Sequence, residues 1–109
     1  TDFITIKYSS TIGIEPVSTK KQKNFSLEQN YPNPFNPTTK IRFSVPQQSF
    51  VYISIFDISG KQVASIVNED LAPGMYEIDF NAAGLSTGTY FYRLTTNNFT
   101  ETRKMILIK

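Results

Sequence analysis

Short stretches in which apolar and polar residues alternate fill the chain from residue 25 onward. Ile41, Phe43 and Val45 alternate with charged or polar neighbours, which predicts a strand with one apolar face. Residues 50–56 are apolar on both faces, which predicts a central strand. Other strands are predicted near residues 63–67, 76–80, 90–94 and 99–109. No helical period persists for three turns, so helices are not expected.

Turn residues separate these stretches. Asp57-Ile58-Ser59-Gly60 predicts a type I turn followed by a glycine with positive φ, and Asn97-Asn98 predicts a two-residue turn. Residues 68–74 are predicted to form a loop that Pro73-Gly74 closes. About seven short strands joined by such turns indicate an all-β protein, an immunoglobulin-like antiparallel β-sandwich.

Two tyrosines stand at equivalent places before predicted strands. Tyr76 follows Gly74 by two residues, and Tyr90 follows Gly88 in the same way. A tyrosine there can bury its ring and donate its hydroxyl to the backbone of the preceding loop, as in a tyrosine corner. We expect Tyr90 to do so.

The first 24 residues differ from the rest. Residues 3–8 are β-branched and aromatic, and residues 1–10 are predicted to be a remnant strand of an upstream domain. Residues 11–24 are polar and contain Gly13, Pro16 and several lysines, which predicts a flexible linker. The sequence starts at Thr1 without a signal peptide, so we expect it to be the tail of a longer chain.

Composition narrows the possible chemistry. The 109 residues include no Cys and no His, which excludes disulfides, thiol nucleophiles, imidazole bases and the common zinc and haem sites. Glu77 and Asp79 share one strand face, where a solvated edge is the favoured interpretation. Other acidic residues show neither an acid/base pair nor calcium-loop spacing. The sequence therefore predicts no enzyme, no metal site and no cofactor.

Charge and hydropathy argue against nucleic-acid binding and against a transmembrane segment. The net charge of +2 comes from the first 24 residues, because residues 25–109 carry seven basic and seven acidic side chains. A nucleic-acid-binding domain needs a basic surface on its folded part, so no nucleic acid is expected. No apolar run approaches the roughly 18 residues of a transmembrane segment, so none is expected.

The proline-rich segment is the most unusual stretch. Tyr31-Pro32-Asn33-Pro34-Phe35-Asn36-Pro37 has three prolines, which fix φ angles and remove amide donors, so a stiff loop is expected. A preformed extended loop suits recognition. The favoured interpretation is structural, with Phe35 closing one end of the sandwich.

The last residues also allow two interpretations. In Arg103-Lys104-Met105-Ile106-Leu107-Ile108-Lys109, four apolar residues stand between cations, which predicts a final buried strand. A terminal strand can in addition be captured through its carboxylate or extended by a partner strand. The two interpretations are compatible.

Together, these motifs resemble a known family. From residue 25 to 109 the chain is similar to the type A C-terminal sorting domain of the type IX secretion system of Bacteroidetes. The resemblance rests on Phe25-Ser26-Leu27-Glu28-Gln29-Asn30-Tyr31-Pro32-Asn33-Pro34-Phe35-Asn36-Pro37, Ile55-Phe56-Asp57-Ile58-Ser59-Gly60-Lys61, Leu85-Ser86-Thr87-Gly88-Thr89-Tyr90 and Lys104-Met105-Ile106-Leu107-Ile108-Lys109. Residues 2–8 are similar to the end of a bacterial β-propeller repeat.

This resemblance implies a secretion signal. Such a domain directs an upstream cargo through the periplasm of a Gram-negative bacterium to the outer-membrane type IX translocon, and the cargo is then secreted or held at the cell surface. A sortase-like cysteine protease removes the domain, here expected within residues 11–24. The residues implied in translocon recognition are Gly88, Tyr90, Lys104, Met105, Ile106, Leu107, Ile108 and Lys109, and the loop motif is Pro32, Asn33, Pro34 and Phe35.

Two other functions fit the same fold class. The family also resembles the immunoglobulin-like part of a flagellar hook-capping scaffold, so a structural role is one alternative. A carbohydrate-binding module of a secreted protein is another, and it would present a row of exposed aromatic rings. The candidates for such a row are Tyr31, Tyr52, Phe91 and Phe99.

Overall fold

The computed structural model describes residues 14–18 and 23–109. The predicted remnant strand at residues 1–10 lies outside the described residues. The described part of the chain contains no helix long and apolar enough to cross a membrane.

Two four-stranded antiparallel sheets make up the described residues, as the all-β sandwich prediction requires. Their eight strands are β1 (Ile14–Ser18), β2 (Ser26–Leu27), β3 (Thr38–Val45), β4 (Ser49–Asp57), β5 (Gln62–Leu71), β6 (Gly74–Asn81), β7 (Gly88–Thr95) and β8 (Thr100–Leu107). One sheet has the order β1-β6-β3-β2 and the other β5-β4-β7-β8. We call these the first and the second sheet.

Alternation along the strands produces the core. On β3, Ile41, Phe43 and Val45 are buried, whereas Lys40 and Arg42 are exposed on the other face. β4 is central, as predicted, because it lies between β5 and β7. Burying one apolar face of each sheet against the other removes the largest hydrophobic surfaces from water.

The turn after β4 has the predicted geometry. The Asp57 carboxylate accepts hydrogen bonds from the Ser59 amide at 2.9 Å and the Lys61 amide at 3.0 Å, and Gly60 has a φ of 90°. The Ser59 hydroxyl also donates to this carboxylate at 2.6 Å, and these hydrogen bonds lower the pKa of Asp57. The Asp57 carboxylate therefore finds its hydrogen-bond donors within the turn itself.

The prediction for Tyr90 is confirmed, and Tyr76 makes the same kind of contact. The rings of Tyr76 and Tyr90 are buried, and each hydroxyl donates to a backbone carbonyl four residues earlier in the sequence. The acceptors are Ala72 and Ser86, the latter at 2.7 Å. Each tyrosine thus ties a strand to the loop that precedes it.

The predicted loop at residues 68–74 is wrong. β5 continues to Leu71, and Asn68 and Asp70 are opposite Tyr52 and Phe50 of β4. These polar residues lie on an edge strand, where one face is exposed to solvent. Their composition is therefore similar to that of a loop. The connection between β5 and β6 is Ala72-Pro73 alone.

Part of the predicted linker is a strand. Ile14–Ser18 pairs antiparallel with β6 and forms an edge of the first sheet. Pro16 occupies this edge position, where a missing amide is tolerated. The flexible linker prediction therefore does not describe residues 14–18.

Candidate recognition surface

β8 separates its residues between two faces. Met105 and Leu107 are fully buried, whereas Lys104 is exposed and Ile106 is half-buried on the opposite face. Ile108, just past the strand, is 48% exposed. The outward side chains are therefore available to a partner, and the inward ones belong to the core.

Gly88 and Tyr90 lie beside β8, as the sequence motif suggested. Gly88 is opposite Leu107, and Tyr90 is opposite Met105 in the β7–β8 register. The Tyr90 ring faces the core. The structure thus brings these predicted site residues together, with Tyr90, Met105 and Leu107 pointing inward.

The segment at residues 27–35, which we call the cap segment, connects the two sheets along one side of the sandwich. Its Glu28 amide donates to the Arg42 carbonyl at 2.9 Å, and Tyr31 and Lys40 exchange two backbone hydrogen bonds. Further on, Phe35 donates to the Ile106 carbonyl at 3.0 Å. The cap segment therefore contacts β3 of the first sheet and β8 of the second.

Phe35 is buried in the core, as the packing interpretation predicted. Its side chain is 2% exposed, and its ring centroid lies 6.3 Å from that of Phe80 on β6. The carbonyl of Phe35 also accepts from the Ile108 amide at 2.9 Å. The ring fills the core while the backbone pairs with the end of β8. A recognition role for Pro32, Asn33 and Pro34 stays a prediction.

Side chains of the cap segment close the rest of the β8 edge. The Asn33 side-chain oxygen accepts from the Ile106 amide at 2.9 Å, and the Gln29 side chain donates to the Lys104 carbonyl at 2.7 Å. The Arg103 guanidinium donates to the Leu27 carbonyl. Outward backbone groups of an edge strand are the template for a partner strand. The cap segment therefore occupies four backbone groups of this template: the Lys104 carbonyl, the Ile106 amide and carbonyl, and the Ile108 amide.

A buried polar network supports the cap segment. Asn30 is 2% exposed, and its side chain donates to the Thr39 hydroxyl at 3.0 Å and the Pro32 carbonyl at 3.1 Å. The Tyr92 hydroxyl accepts from the Asn30 amide at 2.8 Å and donates to the Glu28 carbonyl at 2.7 Å. Burial raises the pKa of Tyr92 to about 12, so the phenol keeps its proton into alkaline pH.

Sequence reasoning missed Gln29, Asn30 and Tyr92. Their partners lie far away in the sequence, at residue 104 for Gln29 and at residues 28 and 30 for Tyr92. The available signal was a Gln-Asn pair directly before a proline-rich stretch, where polar side chains often bond to backbone. That sequence pattern does not show which groups these side chains contact.

The aromatic residues do not form one row. Tyr31 is 79% exposed beside β3 of the first sheet, whereas Tyr52 and Phe91 belong to the second sheet. Phe99 stacks on Phe25 with ring centroids 5.4 Å apart. The four candidates for a carbohydrate platform are therefore divided between separate places.

No cluster of acidic side chains within the described ranges could hold a metal ion.

Comparison with known families identifies the domain. A family model described as the secretion system C-terminal sorting domain matches residues 29–109. None of the curated proteins compared with the chain matches it. The family match spans residues 29–35 of the cap segment and every strand from β3 to β8, and it confirms the resemblance found in the sequence. A domain of this kind is a targeting module, and the chain belongs to the secretion system C-terminal sorting domain family.

Proposed function

We propose that residues 25–109 direct an upstream cargo in the same chain across the outer membrane through the type IX translocon. The family match over residues 29–109 carries this proposal. The cargo reaches the translocon through the periplasm and ends outside the cell or on its surface. The domain itself performs no chemistry in this process.

Exposed side chains at the end of the domain would bind the translocon. Lys104, Ile106, Ile108 and Lys109 face away from the core, whereas Met105 and Leu107 are buried. Gly88 and Tyr90 lie on the neighbouring strand, paired with Leu107 and Met105 of β8. We therefore assign recognition to the outward group and positioning to the inward group.

Contact through side chains is favoured over strand addition. The cap segment occupies backbone groups of residues 104, 106 and 108 on the outer edge of β8. A partner strand would have to displace these hydrogen bonds and the buried Phe35 ring. A partner that contacts only the outward side chains of β8 leaves these hydrogen bonds in place.

Removal of the domain by a sortase-like cysteine protease belongs to the same proposal. A protease cleft takes an extended chain that is not held in a sheet. Because Ile14–Ser18 pairs with β6, we place the cut within residues 11–24 but outside that strand.

A secretion assay tests the proposal. The full chain is fused behind a signal peptide and a fluorescent reporter in a type IX-competent bacterium, and the exported reporter is measured. The informative variant combines Ile106→Ser with Ile108→Ser, which changes only outward side chains. The matched control combines Tyr31→Ser with Phe50→Ser, two exposed aromatics elsewhere.

The expected result is export by the wild type and the control and periplasmic retention of the informative variant. Thermal unfolding of each purified chain shows whether the variants fold. Normal export after complete deletion of residues 104–109 would contradict the proposed function. Retention of the folded wild type would contradict it as well.

A further inference from the structure

A shallow cleft lies on the outer face of the second sheet, at the end where β4 turns into β5. Its volume is about 360 Å³, and its apolar lining consists of Phe56, Ile58 and Phe91. Arg93 and Thr102 form another part of the lining. The cleft therefore involves the turn after β4 together with both strands at the β7–β8 side.

Ile58 is exposed without an evident role in folding. It is 75% exposed in a turn whose polar contacts come from Asp57, Ser59 and Gly60. A polar residue would suit this turn position at least as well. A large apolar side chain that stands in water beside two half-buried aromatic rings indicates a binding surface.

The cleft continues into the outward residues of β8. Phe91 is opposite Lys104, and the next outward pair along the two strands is Thr89 with Ile106. Ile108 follows and is 48% exposed. A strip of outward residues thus extends from the turn to the end of the domain on one face. Phe91, Ile106 and Ile108 are its apolar members on this side, and Thr89 and Lys104 lie among them.

Cations surround this strip. The Arg93 guanidinium lies 4.8 Å from the centroid of the Phe56 ring and donates to the Thr102 hydroxyl at 3.2 Å. Lys104 borders the cleft on β8, and Lys61 follows the turn. Asp57 also lines the cleft, and its carboxylate, whose pKa the hydrogen bonds of the turn lower, stands as one negative charge against these three cations. The rim is therefore mainly positive around an apolar centre.

We propose that this cleft is the second half of the recognition surface, and that it takes an apolar side chain from an acidic protein partner. The inference rests on the proposed function, because the partner is the translocon component that binds the end of the domain. Ile58 and Phe91 would contact the apolar side chain, and Arg93 and Lys104 would face the partner's carboxylates. Positive charge around an apolar centre favours such a surface through both steering and burial.

Export of the full chain with Ile58→Ser and Ile58→Asp tests the inference. Phe50→Ser is the matched control, because Phe50 is 44% exposed at the other end of β4 on the same sheet. We expect Ile58→Ser to reduce export about tenfold, as for loss of an interface anchor, and Ile58→Asp to reduce it further through repulsion. Phe50→Ser should export normally.

Several results would overturn the inference while the proposed function stands. Normal export of both Ile58 variants, with export still dependent on residues 104–109, shows that the cleft is not used. Equal losses in Ile58→Ser and Phe50→Ser show that the effect is not specific to the cleft. Thermal unfolding checks that each purified variant keeps the wild-type melting temperature, and an Ile58→Asp chain that unfolds leaves the decision to Ile58→Ser.

Two other occupants would also contradict it. Binding of the purified chain to vesicles of phosphatidylglycerol and phosphatidylcholine, lost in Ile58→Ser, assigns the cleft to an anionic lipid surface. A wild-type dimer that becomes monomeric in Ile58→Ser assigns it to a second copy of the chain. A chain that is monomeric, does not bind these vesicles, exports poorly when Ile58 is changed and exports normally when Phe50 is changed supports an acidic protein partner.

Discussion

The two edges of the second sheet are protected in different ways. β5 forms one edge, and its pairing with β4 has two register shifts, near Ile53 and near Ile55. Glu69 and Asp70 add charge along this strand. Bulges and charges are local devices that discourage another strand from pairing. β8 forms the other edge, which the cap segment covers through backbone and side-chain hydrogen bonds.

This difference makes the β8 edge, which is part of the candidate recognition surface, dependent on distant parts of the fold. Protection of β5 depends on residues of β5 and its neighbour, whereas protection of β8 depends on residues 73 to 75 positions earlier, such as Gln29 and Asn33. The hydrogen bonds that cover the β8 edge therefore form only when the cap segment is folded against it. Changes in the cap segment test this dependence directly.

The largest effect is expected from Phe35→Ala. Removing a buried aromatic ring leaves a cavity and should lower the free energy of unfolding by about 3–5 kcal/mol. Urea unfolding measures the loss, and Tyr31→Ala, at a 79% exposed position in the same segment, is the control. A loss no greater than that of the control would contradict the closing role of Phe35.

Tyr92→Phe should have the next largest effect. Its hydroxyl is bound to the Asn30 amide and the Glu28 carbonyl, so its removal leaves a donor and an acceptor without their partner. We expect a loss of about 1–3 kcal/mol in the free energy of unfolding. Tyr90→Phe, which removes a single bond to Ser86, should cost about 1 kcal/mol. Equal losses in urea unfolding would contradict this assignment of the two hydroxyls.

Alkaline pH should weaken the fold through the same hydroxyl. Burial raises the pKa of Tyr92, and likewise of Tyr76, from 10.0 to about 12. The folded chain then holds these protons more tightly than the unfolded chain, so their contribution is complete below pH 10 and is lost as pH rises through about 12. Melting temperatures at about pH 9 and about pH 11 measure the decline.

Tyr92→Phe is the control for this pH dependence. It should show a shallower decline than the wild type, because one of the two phenols with a raised pKa among the described residues is gone. Identical slopes in the two proteins would show that Tyr92 does not contribute.

Asn33→Ala should have the smallest effect on stability. Its contact with the Ile106 amide is exposed, so water can replace it and the loss should be about 0.5 kcal/mol. Hydrogen exchange at the Ile106 amide should nevertheless become faster, because that amide loses its partner. Asp70→Asn on the β5 edge should leave this exchange unchanged. Unchanged exchange in Asn33→Ala would mean that Asn33 does not protect the edge.

Local patterns in the sequence predicted much of the fold. Alternation placed the buried residues of β3 and β6 correctly, and the spacing from Gly88 to Tyr90 predicted a hydrogen bond that spans four residues. These features depend on neighbours along the chain. The family motifs added the identity of the domain, which strand patterns alone do not specify.

Features that depend on distant partners were not predicted. β1 contains Pro16 and few large apolar residues, and it exists as a strand through pairing with β6, about 60 positions later. The polar end of β5 resembled a loop until its pairing with β4 was known. Closure of the β8 edge required knowing that the Asn33 and Gln29 side chains reach residues 106 and 104.

The buried ring of Phe35 and its two backbone bonds to residues 106 and 108 have a consequence for chains that are incomplete. A molecule whose synthesis stopped before Arg103 would lack the greater part of β8, which pairs with β7 and carries the backbone groups that Phe35 contacts. It would expose core side chains and offer no finished terminal strand for export. A receptor that binds the outward face of β8 would therefore bind only chains whose last strand is complete. Incomplete chains would be excluded from export without a separate quality-control protein.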